Sequence, residues 1–116
     1  MLARENRLLK PTDFRLAMKQ GRKVATDHLV IYLKRDEAAP HTRFGFVVAK
    51  TVGGAVKRNL VKRRLREIIR ELLPEIGGGF TGVVRALPGA AETDWNKLRE
   101  ELRTAATAAA NKVANG

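Results

Sequence analysis

Cysteine and serine are both absent from the 116 residues. Without cysteine there is no disulfide, no thiolate metal site and no Cys nucleophile, a pattern that fits a reducing cytosol. Without serine there is no Ser nucleophile. His28 and His41 are the only histidines, too few for a three- or four-ligand zinc site drawn from His and Cys. The acids are scattered, and no pair occupies an evident cleft position. A self-contained nuclease needs clustered carboxylates for two metals, or paired histidines. No run approaches the ~18 apolar residues of a membrane span. The N-terminus lacks the apolar core of a signal peptide, and no internal repeat is visible. These absences point to a binding protein; any catalysis would be supplied by a partner.

What is abundant is positive charge. The net charge is +11 and the isoelectric point about 10.9, on a chain that is 44% hydrophobic with mean hydropathy −0.28. That composition and length suit one globular domain over residues 1–116. The charge favours a polyanionic partner, with nucleic acid ahead of an anionic membrane surface. Residues 1–23 carry seven Lys/Arg and two acids, and residues 50–73 carry eight and two. Residues 24–49 hold three of each sign and residues 74–116 five of each. The whole excess therefore lies in two segments, which would form one electropositive surface if the fold joined them.

The second segment is an amphipathic helix entered through Gly53 and Gly54, spanning about Ala55 to Leu73 with Pro74 behind it as a stop. At ~100° per residue, Arg58, Lys62, Arg66, Asn59, Arg70 and Arg63 fall on one arc of roughly 140°. Ile68, Val61, Leu72, Leu65 and Ile69 fall on another of about 100°. Glu67 and Glu71 lie towards Arg64 and Lys57, within i,i+4 pairing range and off the middle of the cationic arc. Such a face suits either a solvated surface helix or a polyanion site. Its closely spaced cations repel one another until a polyanion relieves them. The two glycines also suit phosphate binding by helix-start amides, or simply a tight turn. The GxxxxGK[ST] phosphate loop is absent.

The rest of the chain reads in order. Residues 1–11 form a basic arm (Arg4, Arg7, Lys10) closed by Pro11, either a loose tail or a polyanion-binding arm. Thr12 or Asp13 caps a short helix that Gly21 ends. Phe14, Ala17 and Met18 share a face of it, surrounded by Arg15, Lys19, Arg22 and Lys23. Residues 22–26 allow a short strand. Residues 28–34 alternate as a strand, with Leu29, Ile31 and Leu33 on one side and Val30 and Tyr32 on the other. Residues 36–42 read as a hairpin loop leading into a strand at 43–49. There Phe44, Phe46 and Val48 oppose Gly45, Val47 and Ala49, so Tyr32 lies on a face of small residues, either as ordinary sheet packing or as a flat platform. Residues 80–87 form a further strand. Thr93 or Asp94 caps a last helix whose buried stripe is Trp95, Leu98, Leu102, Ala105, Ala106, Ala109 and Val113, with a frayed tail from about 111 to 116. The order α-(β)-β-β-α-β-α predicts a single-domain, two-layer α+β sandwich, with a βαβ crossover making strands 43–49 and 80–86 parallel.

The run FVVAKTVGGAVKRNLVKRRLRE resembles the signature of the bacterial ribonuclease P protein subunit. That signature is roughly a strand ending in Ser/Ala-Lys, then Gly-Asn/Gly-Ala-Val, Arg-Asn-Arg and Lys-Arg-x-x-Arg-Glu. NRLLKPTDFRLAMKQGRKV resembles the family's opening, and VVRALPGAAETDWNKLREEL its closing strand, turn and helix. The resemblance covers about residues 4–103. It implies a left-handed βαβ crossover and a fold like a ribosomal-protein domain. It also implies a cytoplasmic protein, monomeric when free, that binds the catalytic RNA of ribonuclease P. That holoenzyme removes the 5′ leader of precursor tRNA with Mg2+ held mainly by the RNA, and the protein alone would be inactive. Carried over by position, Lys50, Arg58, Asn59, Lys62, Arg63 and Arg66, with Arg70 on the same arc, would bind the RNA subunit. Phe14 and Tyr32, with Met18 and Arg15, would hold the single-stranded leader. Two positions depart from the pattern. Leu60 replaces the second Arg of Arg-Asn-Arg, and Met18 replaces a second cleft aromatic.

Other readings fit parts of the chain. A ribosomal or general RNA-binding structural protein explains the charge and element order. A DNA-binding regulator could present Arg58 and Asn59 to the major groove. A stand-alone nuclease has the least support.

Overall fold

The computed structural model describes residues 2–115; Met1 and Gly116, the outer ends of the expected arm and tail, lie outside them. The elements are α1 (Pro11–Gln20), β1 (Arg22–Ala25), β2 (Leu29–Arg35), β3 (Arg43–Val47), α2 (Ala55–Ile76), β4 (Phe80–Ala86) and α3 (Trp95–Asn115). Short 3-10 turns occupy Arg4–Asn6, Lys50–Val52 and Ala90–Glu92. One sheet in the order β1-β2-β4-β3 holds them together. The β1–β2 and β2–β4 pairs are antiparallel, and β3–β4 is parallel. A parallel pair needs a crossover between its strands, and α2 is that crossover.

The 36–42 loop does not close a hairpin. β4 lies between β2 and β3, where the local pattern predicts that those two strands pair. β4 is buried at every position except Arg85, the mark of a central strand covered on both faces. The loop is tied to the start of β4 instead. Thr42, only 2% exposed, donates through its hydroxyl to the Gly77 carbonyl and accepts from the Phe80 N–H at 3.2 Å. The Asp36 N–H donates to the Gly79 carbonyl at 2.7 Å.

Strand alternation sorts the core into two. Leu29, Ile31, Leu33, Phe44 and Val84 face α2 and α3 in the main cluster. Val30, Tyr32 and Val83 face α1 in a smaller one with Leu8 and Ala17. The second face is therefore covered, and Tyr32 is no open platform. Two glycines admit phenyl rings into the sheet. A Cβ on Gly82 would lie 2.4 Å from the Phe44 ring, and one on Gly45 would lie 2.3 Å from the Phe14 ring. Gly45 is what allows α1 to settle on the strands.

Helix ends differ from expectation in three places, and β3 ends at Val47 where the pattern carries the strand to residue 49. α1 starts at Pro11, not after it, because proline's fixed φ and missing N–H suit the first helical position. α2 runs through Pro74 to Ile76 before Gly77, at φ 79°, turns the chain. α3 continues to Asn115 past the expected fraying point, starting where Asp94 Oδ2 accepts from the Asn96 and Lys97 N–H groups. The N-terminal segment is docked: Leu2 and Leu8 are buried, and the Leu8 N–H donates to the Phe44 carbonyl at 2.9 Å. It shields the outer edge of β3, an otherwise unpaired strand edge.

Glu101 of α3 clamps the β1–β2 turn. Its Oε1 accepts from Thr26 Oγ1 at 2.8 Å and the His28 N–H at 3.0 Å, and its Oε2 lies 2.7 Å from His28 Nδ1. Burial raises this carboxyl, but the hydrogen bonds from His28 and Thr26 outweigh that effect and hold it below its ordinary value. A carboxyl depressed on folding stabilises the protein above its unfolded pKa and ceases to do so as pH falls through the folded pKa. At neutral pH, Glu101→Gln should therefore cost about 1–2 kcal/mol in urea denaturation. In acid, where the native carboxyl is also protonated, the two proteins should converge. A gap that does not change with pH would contradict the clamp.

Candidate nucleic-acid interface

The basic helix is built as its pattern predicts. The buried residues of α2 are Val61, Leu65, Ile68, Ile69 and Leu72, the five expected on the apolar arc. Docking that arc on the sheet forces the cationic arc outward. Asn59, Arg63, Arg66 and Arg70 are exposed, and Arg58 and Lys62 are half-buried along its inner border. Lys50 is exposed in the 3-10 turn just before the helix. Gly53 makes the entry at φ 152°, with Lys57 so close that a Cβ would sit 2.8 Å from its Cδ.

The acids are distributed differently from the i,i+4 expectation. Glu67 turns to the basic face and accepts from Arg70 Nη2 at 3.0 Å. The Arg70 guanidinium holds this carboxyl below its ordinary value. Glu71 reaches across to Arg99 of α3 at 3.2 Å, and Glu75 to Arg103 at 3.0 Å. Lys57 pairs with Glu92 at 3.4 Å. Arg64 donates to the Thr93 carbonyl at 3.4 Å and lies over the Trp95 ring, which Arg99 also contacts. Thus one flank of α2 is neutralised against α3. On the other, Arg58, Lys62, Arg63 and Arg66 have no carboxylate within ion-pair distance among the described residues. Arg58 Nε is buried without a hydrogen-bond partner, so this guanidinium is held by packing with a donor to spare.

The α1 face brings Phe14, Met18 and Tyr32 into one cluster. Phe14 and Met18 are half-buried and Arg15 is exposed beside them. Tyr32 is only 7% exposed, so a base could reach its rim but could not stack on its ring without movement of α1. Two further exposed cations lie on this face: Lys23, expected from the sequence to border the α1 cluster, and Arg85, which the sequence reading missed. Lys23 pairs in register with Tyr32, and Arg85 with Val30. Strand alternation would have found Arg85 once the sheet order was known. Arg4, Arg7 and Lys10 belong to the segment along the β3 edge, which links the α1 side of the sheet to the α2 side.

A sheet with a cationic crossover helix is shared by many nucleic-acid-binding proteins, and comparison decides among them. The family model for ribonuclease P matches residues 2–110. The chain belongs to the ribonuclease P protein family. The ribonuclease P protein component of Clavibacter michiganensis is 42% identical over 97% of this chain and 100% of its own length. That of Streptomyces avermitilis is 45% identical over 90% of this chain and 92% of its own. The Staphylococcus aureus ribonuclease P protein superposes with a TM-score of 0.81 at 28% identity, covering 90% of this chain and 94% of that one. The Thermotoga maritima protein gives 0.75 at 31% identity, covering 84% and 92%. These matches span the basic helix and the α1 face together, and they favour the ribonuclease P reading over the ribosomal and DNA-regulator alternatives.

On this geometry, affinity for a folded RNA should fall steeply with salt, and Arg58→Ala or Arg66→Ala should each lower the log–log slope by about one unit. Arg70→Ala should change it less, because Glu67 already partners Arg70. Equal slopes for all three variants and the parent would remove the helix from the interface.

Proposed function

We propose that this chain assists the catalytic RNA of ribonuclease P in removing the 5′ leader of precursor tRNA, through two surfaces. The cationic arc of α2, with Arg58, Asn59, Lys62, Arg63, Arg66 and Arg70, and Lys50 just before it, binds the RNA subunit. The α1 face, with Phe14, Met18, Arg15 and the rim of Tyr32, receives the single-stranded leader. The observation that carries this is the one-sided neutralisation of α2. The flank against α3 is satisfied internally, and the other keeps four cations for a phosphate backbone. Aromatic and thioether side chains beside cations suit unpaired bases, which stack on apolar surfaces while their phosphates meet charge.

In this reading the protein alone does not cleave RNA, is monomeric when free and works in the cytoplasm. Among the described residues, no three His, Asp or Glu side chains gather to hold a metal, and no helix is long and apolar enough to cross a membrane. Magnesium is left to the RNA, and the protein's part is to screen phosphate repulsion and fix the leader.

The leader assignment is tested by binding of precursor and mature tRNA to the reconstituted holoenzyme. Phe14→Ala should weaken precursor tRNA about ten-fold, the scale of one lost stacking contact, and leave mature tRNA unchanged. Equal losses for both would place Phe14 outside the leader path.

A further inference from the structure

The outward side of α2 carries an apolar pair that the core does not use. Val56 is 85% exposed, one of three large apolar side chains left open among the described residues. Leu60 follows one turn later and is half-buried. Residues four apart on a helix are neighbours about 5–6 Å apart at Cβ, so the two form a single patch. Asn59 and Arg63 flank it on one side, both exposed, and Lys57 and Arg64 on the other. The approach is open at the helix start: a Cβ on Gly54 would meet nothing within 4 Å, and no side chain caps the first turn.

We infer that Val56 and Leu60 form a seat for one unstacked nucleotide of the RNA that α2 binds, with Asn59 and Arg63 holding its edge and phosphate. The inference rests on the proposed RNA interface and adds to it a contact that does not depend on charge. Two side chains offer an area suited to one base and far below that of a stable protein interface. A base is apolar on its faces and polar on its edge, and its phosphate is anionic. The patch matches all three: an apolar floor, an amide with both a donor and an acceptor, and a cationic rim. In a duplex the base faces are stacked away, so the occupant is a looped-out or bulged nucleotide.

The test compares Val56→Ala, Leu60→Ala and Arg66→Ala in affinity for a bacterial ribonuclease P RNA across a salt series, with helicity checked by circular dichroism. Val56 is exposed and alanine is the better helix former, so the first variant folds even if Leu60→Ala is weakened. Val56→Ala should bind about five-fold more weakly, the scale of partial loss of two buried methyl groups, with an unchanged salt slope. Arg66→Ala should lower the slope. If Arg66→Ala weakens binding and Val56→Ala does not, the seat is wrong and the RNA interface stands. If neither weakens it, the interface reading itself fails. A Val56→Ala loss accompanied by a changed slope would also overturn the seat. The absence of native cysteine permits a second measurement, in which Val56→Cys carries a benzophenone label. Crosslinking to an unpaired nucleotide is expected. Crosslinking only to paired RNA, or only to another protein chain, would contradict it.

Discussion

The structure depends on the position of β4. This strand has a neighbour on each edge and cover on each face. Its backbone is satisfied only if β2 pairs with it antiparallel and β3 parallel. The parallel partner requires a crossover, and the crossover must bury one stripe against the sheet. That requirement fixes α2 in rotation as well as position. Once Val61, Leu65, Ile68, Ile69 and Leu72 point inward, Arg58, Lys62, Arg63 and Arg66 have no choice but to line the outside. The exposed cationic side of the helix is a consequence of packing as much as of charge.

Charge then separates the two flanks. The pairs Glu71–Arg99 and Glu75–Arg103 advance by four residues on each helix, so α2 and α3 run in the same sense side by side. Parallel helix dipoles repel, and a ladder of opposite charges between them offsets that repulsion. Each exposed pair contributes little to stability by itself. The greater effect is positional, because the acids of α2 nearest α3 are occupied there and do not screen the opposite flank. Glu67 is the exception, turning towards Arg70. The cationic arc is therefore unequal along its length, least screened in the first half of the helix.

Much of this was legible because it is periodic. The apolar arc of α2, the alternation of β2, the cap at Asp94 and the parallel relation of β3 and β4 all follow from spacing within one element or one crossover. What escaped was non-local. The hairpin expected at residues 36–42 has sound local signals, a Pro40 loop between two apolar strands. Nothing within those residues reveals that a strand forty positions later enters between them. The choice between sheet packing and an open platform at Tyr32, which the structure settles for packing, was open for a related reason. That α1 could cover it depends on Gly45 receiving the Phe14 ring, a contact between residues far apart in sequence. Arg85 was invisible as a partner of the Tyr32 face until the register placed it opposite Val30. At the level of the site, the cations of α2 were readable from the helical period. The exposure of each member of the α1 cluster was set by packing that no period encodes.

The most direct test of the account is cleavage of a 5′-extended precursor tRNA by a bacterial ribonuclease P RNA at low magnesium, with and without this chain. The account predicts that the RNA alone is nearly inactive there, that adding the protein restores cleavage at the mature 5′ end, and that the protein by itself cleaves nothing. A protein that binds the RNA yet leaves low-magnesium cleavage unchanged would contradict it.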